Sequence, residues 1–413
     1  MNEKIQFAIS DCKAAIKLLL QRMKKRKSGP VRVGFIGQYI PAWNKVEGLY
    51  RAMLADDRFE PVVICVPLDI SDYALENPDS LENDVYDYYK NNGYNAVNAL
   101  IGKNEWLDLK SLDLDYVFYQ RPYNYHLPIQ YARFEVSKYA KICVVLYAMS
   151  MVEEDIETCL KRDFFRNVYC YFAESEYLAG ANRKNFRLSH MLGIQKSLYL
   201  GNPAWSHVLS EKDTETDAWD QIGGNFKVMW TPRWTTDLKL GGTNFFQYKD
   251  YFLDFARQNE NASVMMRPHP LAFENFIKAG DMTRDEADSY KETCKNLPNV
   301  EIDTRKDYLT TMWKSDVLVG DISGILPEYF IMDKPLVFCA SNMILKPTEF
   351  TKRMFEGCYI VNNKSELDEC LNSLMRGVDP LKEKRAEIID ELFTGRLKTC
   401  VGEILDSLEN SIK

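Results

Sequence analysis

The sequence predicts an α/β protein with two parallel sheets, and three observations lead to this fold class. At 413 residues the chain is too long for one ordinary hydrophobic core, so two domains are expected. Short, continuous apolar runs alternate with helical patterns along most of the chain. Such runs indicate parallel strands that are covered by helices on both faces. The alternation occurs twice, which predicts two halves of similar architecture.

The chain begins with an amphipathic segment, residues 1–29, that predicts a basic helix over residues 4–25. Apolar residues recur there at helical spacing, namely Ile5, Ile9, Cys12, Ile16, Leu19, Leu20 and Met23. Four basic residues at 24–27 end the segment, and Ser28-Gly29-Pro30 then breaks the helix. A basic amphipathic helix can lie on an anionic membrane surface, or it can pack on its own domain with a solvated basic end. The sequence leaves both interpretations open.

The first α/β domain is predicted over residues 30–205. Its strands are the apolar runs at 31–37, 61–66, 116–119, 142–146 and 168–172. Gly34-x-x-Gly37 ends the first strand, and it indicates a tight turn rather than a dinucleotide-binding loop. Asp113-Leu114-Asp115 resembles a metal-binding carboxylate pair, but its position fits the beginning of a strand better.

A polar stretch at 206–226 has no strand pattern and is predicted to be the linker between domains. The second domain is predicted over 227–380, and C-terminal helices over 381–413. Two parallel-sheet domains of this kind, with a linker and C-terminal helices, describe the GT-B arrangement. We expect two Rossmann-like domains that face a central cleft, where the ligand binds at the carboxyl ends of the strands.

Composition argues against several classes of function. The net charge of -8 argues against nucleic-acid binding. Neither a membrane-spanning run nor a signal peptide is visible, so we expect a cytoplasmic protein, with the N-terminal helix as a candidate for peripheral contact with the inner membrane face. The ten cysteines include no C-x-x-C pair, which indicates free thiols. With only four histidines, no metal site is predicted.

The most informative stretch is residues 321–328, Asp-Ile-Ser-Gly-Ile-Leu-Pro-Glu, which follows an apolar strand. Small polar residues at a strand-to-helix turn leave backbone N–H groups available to an anion. We expect Asp321, Ser323 and Gly324 to form a turn that holds a diphosphate, and Glu328 to accept hydrogen bonds from ribose hydroxyls. The alternative is an ordinary capped helix, with Ser323 as the N-cap.

Two other predicted strand ends carry cationic or protonatable groups. Arg267 and His269 lie in Met-Arg-Pro-His-Pro, and Arg233 lies in Trp-Thr-Pro-Arg-Trp. Arginine binds phosphate through two N–H groups, and histidine can donate to phosphate or move a proton. Because the carboxyl ends of parallel strands meet at one edge of a sheet, we expect these residues to surround one phosphate-bearing ligand. Each could instead be satisfied by local salt bridges or loop contacts.

The first domain offers a candidate acceptor wall in residues 119–126, Tyr-Gln-Arg-Pro-Tyr-Asn-Tyr-His, which also follow a predicted strand. Its side chains are of the kind that contact hydroxyl groups, although aromatic loops also simply pack. His126 and Glu47 are candidates for a catalytic base, and the sequence does not single out either.

As a set, these motifs resemble the CDP-glycerol glycerophosphotransferase family, the teichoic-acid and capsule enzymes. The resemblance covers most of the second domain, through residues 230–234, 243–248, 266–270, 307–309, 315–324, 328–329 and 333–335. In the first domain it is looser and rests on residues 115–122 and 175–203.

The resemblance implies a GT-B fold and the transfer of a polyol phosphate from a CDP-activated donor to a hydroxyl. By position, Arg267 and His269 match the family's Arg-x-His-Pro element. Asp321 and Ser323 match its phosphate-binding turn, and Glu328 matches the glutamate that follows.

The chain also departs from the family pattern. Gly320 and Gly324 replace serines, which would leave only backbone contacts to phosphate there. Arg233 stands where many relatives have histidine. The family's Trp-His-Gly element, which supplies the usual candidate base, is replaced by Tyr-Ala-Met-Ser at 147–150.

These inferences predict a transferase that moves glycerol phosphate, or a related polyol phosphate, to a hydroxyl of a cell-surface glycan or teichoic-acid-type acceptor. The CDP-activated donor is a substrate, and no further cofactor is expected. The predicted site residues are catalytic Arg267 and His269, with donor contacts from Arg233, Asp321, Ser323, Gly324 and Glu328. The alternatives are a GT-B glycosyltransferase that uses a nucleotide sugar in capsule or lipopolysaccharide synthesis, and a non-catalytic subunit of a polysaccharide assembly complex.

Overall fold

The structure is a computed structural model that describes residues 3–23, 25–26, 28–68, 84–122, 127–147, 149–155, 160, 162–213, 218–305 and 307–412. The chain divides into two compact units. The first comprises Met1–Ala148, Ile156–His207 and Arg396–Lys413, and the second comprises Met149–Asp155 and Val208–Gly395. Among the described residues, no helix is long and apolar enough to cross a membrane.

The strands of the first unit are β1 Val31–Gly37, β2 Phe59–Cys65, β3 Ala96–Asn98, β4 Leu100–Gly102, β5 Glu105–Trp106, β6 Tyr116–Tyr119, β7 Lys141–Val144, β8 Cys170–Phe172 and β9 Lys196–Leu198. Its helices are α1 Glu3–Met23, α2 Asn44–Leu54, α3 Asp84–Asn91, α4 Arg133–Val136, α5 Arg162–Phe165, α6 Glu176–Asn185 and α7 Arg187–Met191. Helix α8, Pro203–Ser210, runs across the division between the units.

Within the described residues, seven of these strands form a sheet in the order β3-β2-β1-β6-β7-β8-β9, and neighbouring strands in it are parallel. Alternate residues of one strand belong to different apolar clusters: Cys143 lies in one, while Ile142 and Val144 lie in the other. Since side chains alternate across a strand, both faces of the sheet are buried. Burial on both faces explains why these strands appear in the sequence as continuous apolar runs.

The second unit contains β10 Phe226–Thr231, β11 Ala262–Met266, β12 Val300–Ile302, β13 Val317–Gly320, β14 Leu336–Cys339 and β15 Tyr359–Val361. Its helices are α9 Phe245–Gln258, α10 Ala272–Ala279, α11 Arg284–Lys295, α12 Leu309–Lys314, α13 Leu326–Phe330, α14 Glu349–Phe355, α15 Lys364–Met375 and α16 Lys382–Ile389. A π-helical turn, Asp390–Thr394, follows, and the short helix α17, Gly395–Leu397, lies where the chain passes back to the first unit. In the described residues the six strands form a parallel sheet in the order β12-β11-β10-β13-β14-β15.

The last helix, α18 Cys400–Ile412, belongs to the first unit and not to the domain that precedes it in sequence. Its final carbonyls accept hydrogen bonds from the Tyr116 hydroxyl and the Lys141 ammonium, at Leu408 (2.8 Å) and Ser411 (2.7 Å). The positive charge of a lysine at the C-terminal end of a helix also interacts favourably with the helix dipole. The predicted helical character of 381–413 is therefore present, but the segment is divided between the two units.

Three edge strands, β3, β9 and β15, escaped the sequence-based prediction. Each has three residues, of which at least two are partly or fully exposed, so none forms a long buried run. The nine described cysteines are all free.

Candidate functional site

The candidate site lies at the carboxyl edge of the second unit's sheet. Strand β10 is central: Trp230 pairs with Met266 of β11, and Thr231 pairs with Gly320 of β13. The segments that follow the three strands therefore leave the sheet side by side. Sheet order thus brings together the three strand ends that the sequence singled out, although they are far apart in the chain.

Asp321 is the anchor of this edge. Its fully buried carboxylate accepts hydrogen bonds from the backbone N–H of Arg233 (2.7 Å), the Thr243 hydroxyl (2.9 Å) and the Asn244 side-chain amide (2.8 Å). Burial raises the pKa of Asp321, and these hydrogen bonds oppose the rise. Both oxygens thus bind protein groups, so Asp321 holds the loop at 233–244 in place.

Arg233 connects this loop to the turn after β13. Its guanidinium donates to the carbonyl oxygens of Leu240 (2.8 Å) and Ile322. Gly241 packs against it: φ is +98°, and a Cβ atom there would lie 2.9 Å from Arg233 Nε. Only glycine accepts that backbone conformation and that close approach. The arginine is therefore held rigidly at the edge of the sheet while remaining partly exposed.

Arg267 is fixed by a second buried carboxylate, that of Asp303. One of its N–H groups donates to Asp303 Oδ2 (2.7 Å) and another to the carbonyl of Arg305 (2.8 Å). Its guanidinium lies 5.2 Å from the centre of the Tyr308 ring, a cation–π distance. The Tyr308 hydroxyl in turn donates to Glu328 Oε2 (2.7 Å). Glu328 is buried, and Tyr308 connects it to Arg267.

His269 is held as a neutral ring. Its Nδ1 accepts a hydrogen bond from the Leu271 backbone N–H (3.2 Å), which leaves the proton of the neutral ring on Nε2. Burial lowers the pKa of His269 to about 4, and the positive charge of Arg233 acts in the same direction. At neutral pH the ring therefore offers one N–H donor rather than a positive charge.

The turn at 323–325 exposes backbone donors. Within the described part of the chain, neither the N–H groups of Ser323, Gly324 and Ile325 nor the Ser323 hydroxyl makes a hydrogen bond. All three residues are partly exposed. Helix α13 begins at Leu326 with no side-chain cap, so Ser323 does not serve as its N-cap. The capped-helix alternative is thus absent, and the donors stay available.

Sequence reasoning missed several residues that build this edge, including Asp303 and the crossover segment 149–155. The sequence placed that segment in the first domain, but its contacts belong to the second unit: Val152 pairs with Pro347, and Glu153 N–H donates to the Lys346 carbonyl (2.8 Å). Burial raises the pKa of Asp155, the last residue of this segment, and the positive charge of Arg233 opposes the rise. No local pattern in the sequence predicts that residues 149–155 pack on the second unit.

In the first unit, a small pocket lies between the ends of β1 and β6. Arg121 lines it, donates to the Gln38 side chain (3.3 Å) and lies 5.7 Å from the Tyr39 ring. Residues 123–126 of the predicted acceptor wall, including His126, lie outside the described residues. The acceptor wall therefore stays a prediction.

Glu47, the other candidate base, is occupied by protein groups. Burial alone would raise its pKa, but hydrogen bonds from His207, Tyr94 and Arg51 outweigh burial and lower the pKa to about 2. A carboxylate with so low a pKa is a weak proton acceptor.

The carboxylate pair at 113 and 115 binds arginine. Arg26 forms ion pairs with both Asp113 (3.0 Å) and Asp115. Among the described residues, no group of three or more histidine, cysteine or acidic side chains is placed to hold a metal ion.

The whole chain is similar in structure to two kinds of nucleotide-binding enzyme. The wall teichoic acid polymerase TagF aligns over 100% of this chain and 98% of its own, with a TM-score of 0.55 and 12% identity. A TagF structure soaked with CDPG aligns with a TM-score of 0.51 and 13% identity, over 99% of this chain and 98% of that one. The UDP-GlcNAc 2-epimerase from Neisseria meningitidis, bound to UDP-GlcNAc, aligns over 92% of this chain and 99% of its own, with a TM-score of 0.56 and 13% identity.

This protein has the GT-B fold. The similarity confirms the predicted fold class, α/β with two Rossmann-like parallel-sheet domains. No protein-family model matches the sequence, and no curated protein matches it. At identities of 12–13%, the structural neighbours establish the fold and leave the reaction to be inferred from the site.

Proposed function

We propose that the carboxyl edge of the second sheet binds the diphosphate of a nucleotide-activated donor. One observation carries the proposal: two arginines, a neutral histidine donor and the unbonded amides of 323–325 follow three adjacent strands. Arg233 and Arg267 are each fixed by hydrogen bonds to protein oxygens, so they need little reorganisation to receive an anion. A diphosphate has the charge and the acceptor oxygens that such a set of donors requires.

The reaction we propose is transfer of glycerol phosphate, or a related polyol phosphate, from a CDP-activated donor to a hydroxyl acceptor. The acceptor oxygen forms a bond to the distal phosphorus, the bond from that phosphorus to the bridging oxygen breaks, and CMP leaves. The hydroxyl proton passes to a base or to solvent. In this scheme Arg267 and His269 stabilise the charge that develops on the phosphate oxygens, while the 323–325 amides hold the departing phosphate.

The resemblance of the motifs to the CDP-glycerol glycerophosphotransferase family supports this choice, as does the alignment with TagF over the full chain. A second candidate is a reaction of a UDP-sugar whose diphosphate binds at the same edge of the sheet, which we call the diphosphate seat. The UDP-GlcNAc 2-epimerase alignment favours it, because its TM-score of 0.56 is slightly above the two TagF values, 0.51 and 0.55. Both candidates need the same diphosphate seat and differ in the nucleotide and in the bond that breaks.

Thermal unfolding with a panel of CDP-glycerol, CDP-ribitol and UDP-GlcNAc tests the seat, followed by analysis of products. A donor at about 100 times its Kd should stabilise the protein by about 2.7 kcal/mol. CMP release with acceptor supports polyol-phosphate transfer, while an epimerised UDP-sugar supports the second candidate. Release of a nucleoside diphosphate from a nucleotide sugar identifies a glycosyltransferase. Binding of none of them would reject the seat and favour a non-catalytic subunit.

His269→Asn is the sharpest variant for this test. Asparagine can keep an acceptor for the Leu271 N–H but loses the Nε2 donor, so binding should weaken while the fold persists. Arg257→Gln is the matched control, because Arg257 is an exposed arginine of the same unit that pairs with Asp254 (2.8 Å). Equal donor binding in both variants would remove His269 from the site.

A further inference from the structure

The crossover segment 149–155 ends in a carboxylate, Asp155, that lies at the same sheet edge as the diphosphate seat. The segment is fixed to the residues that follow β14, where the Glu153 N–H donates to the Lys346 carbonyl (2.8 Å). Strand β14 is the parallel neighbour of β13, so the chain leaves both strands at the carboxyl edge of the sheet. Sheet order therefore brings the crossover segment close to the strand ends that form the seat.

The residues that follow β14 also contact the loop that carries Arg233. The Asn342 side-chain amide donates to the Thr243 carbonyl (2.6 Å), and the Ser341 hydroxyl donates to the Asn244 side-chain oxygen. The crossover segment and the Arg233 loop are thus attached to the same short stretch of chain. All of these residues belong to the second unit.

The environment of Asp155 suits a group that exchanges a proton. Burial raises the pKa of its carboxyl, while the charge of Arg233 and hydrogen bonds from the backbone of Met151 and Val152 oppose the rise. The charge of Glu154 acts in the same direction as burial. Within the described ranges no basic side chain forms a salt bridge with Asp155, and the residue is partly exposed. The carboxylate is therefore oriented by the backbone and remains accessible to a ligand.

Three other acidic side chains at this edge are already occupied. Asp303 and Asp321 are buried, and both oxygens of each accept hydrogen bonds from protein groups. Glu328 is also buried and accepts a hydrogen bond from a tyrosine hydroxyl (2.7 Å). Asp155 differs from them because it is accessible and still lies within the field of Arg233.

We propose that Asp155 is the general base of the reaction, a proposal that rests on the proposed transferase function and adds the group that accepts the proton. The acceptor hydroxyl gives its proton to the Asp155 carboxylate while its oxygen forms the bond to the distal phosphorus. The bond from that phosphorus to the bridging oxygen breaks, and CMP leaves. Because Asp155 is partly exposed, it then releases the proton to solvent.

Donor binding should make Asp155 a stronger base. Arg233 opposes the rise in the pKa of Asp155, and a diphosphate bound to Arg233 would offset that positive charge with its own negative charge. The pKa of the carboxyl should therefore rise further when the donor binds. A base acts only when deprotonated, so the rate should increase with pH through this pKa. The acid limb of kcat, which reports the donor complex, should lie at higher pH than the acid limb of kcat/KM for the donor, which reports the free enzyme.

CMP release from CDP-glycerol, with glycerol as the hydroxyl acceptor, tests the role of Asp155. Asp155→Asn keeps the shape of the side chain and loses its basicity, so kcat should fall by about 10²–10⁴-fold. Thermal stabilisation by CDP-glycerol should be retained, because the donor seat is unchanged. Asp155→Glu restores a carboxylate and should recover part of the rate. The matched control is Glu154→Gln, which removes an exposed carboxylate of the same segment that accepts the Lys346 N–H (3.2 Å) and should keep the wild-type kcat.

The pH profile separates a base from a residue that only holds the segment in place. Asp155→Asn should lose the acid limb of the wild-type profile, and a lower rate with an unchanged acid limb would overturn the proposal. A wild-type kcat in Asp155→Asn would also overturn it and would leave the proposed function intact. Should Asp155→Asn fail to fold, Asp155→Glu decides, because a shifted acid limb supports the base and an unshifted one rejects it.

Measurements on the wild-type protein distinguish failure of this proposal from failure of the proposed function. If the wild type neither gains stability from CDP-glycerol nor releases CMP, the transferase function is rejected, and the base is rejected with it. If the wild type binds CDP-glycerol and releases CMP, the comparison of Asp155→Asn with Glu154→Gln decides the role of Asp155 alone.

Discussion

Replacing Asp321 by asparagine should destabilise the second unit and loosen the proposed seat. Asp321 is isosteric with asparagine, so the substitution changes hydrogen bonding without changing volume. Its two oxygens receive the Arg233 N–H, the Thr243 hydroxyl and the Asn244 amide. An asparagine keeps one oxygen and turns an N–H₂ group toward a protein donor.

The expected magnitude follows from that mismatch. A hydrogen bond to a charged group contributes about 1.5–3 kcal/mol, and a buried donor without a partner costs about 1–3 kcal/mol. The neutral side chain recovers part of the cost of burying a charge, a cost that is visible in the raised pKa of Asp321. We therefore expect a loss of about 2–3 kcal/mol in the free energy of unfolding. For a domain of this size the melting temperature should fall by about 4–12 °C.

Chemical denaturation and thermal unfolding of Asp321→Asn measure this loss. Asp316→Asn is the control, because Asp316 lies just before the same strand, is exposed and accepts one backbone hydrogen bond, from Lys227 (2.7 Å). That variant should lose less than about 1 kcal/mol. If Asp321→Asn unfolds like the wild type or like the control, Asp321 is not the anchor of the 233–244 loop.

Three other predictions concern the same edge. His269→Asn should flatten the pH dependence of stability. The wild type should lose unfolding free energy as the pH falls from about 6.5 to about 4, because only its unfolded state gains a proton in that range. If the difference in unfolding free energy between wild type and variant does not change with pH, the pKa of about 4 for His269 is wrong. Tyr308→Phe keeps the aromatic ring beside the Arg267 guanidinium and loses only the hydrogen bond to Glu328. It should therefore raise KM for the donor less than Tyr308→Leu does. Equal kinetics in the two variants would argue against a role for the stacking. Gly320→Ala should cost about 1–3 kcal/mol, because its Cβ would lie 2.5 Å from the Thr231 hydroxyl oxygen, and adding Thr231→Ala should recover part of the loss in denaturant titrations.

The chain's local patterns contain the fold class and the location of the candidate site. Buried strands such as 31–37 and 317–320 appear as apolar runs because helices cover both sheet faces. Arg267 and His269 could be selected as candidates because they follow such a run directly. The short edge strands β3 and β9, and the division of residues 381–413 between the units, leave no comparable pattern.

Tertiary structure alone decided which way the key groups face. A helical period shows that α1 has an apolar stripe, but the stripe's direction depends on what α1 packs against, and the domain takes Leu18 and leaves Leu20 in solvent. Likewise, the sequence shows that Asp321 follows a strand, while its partners at 233 and 244 are about 80 residues away and are brought near by sheet order. Local composition sets which elements form, and contacts between distant residues set which side chains remain free to bind.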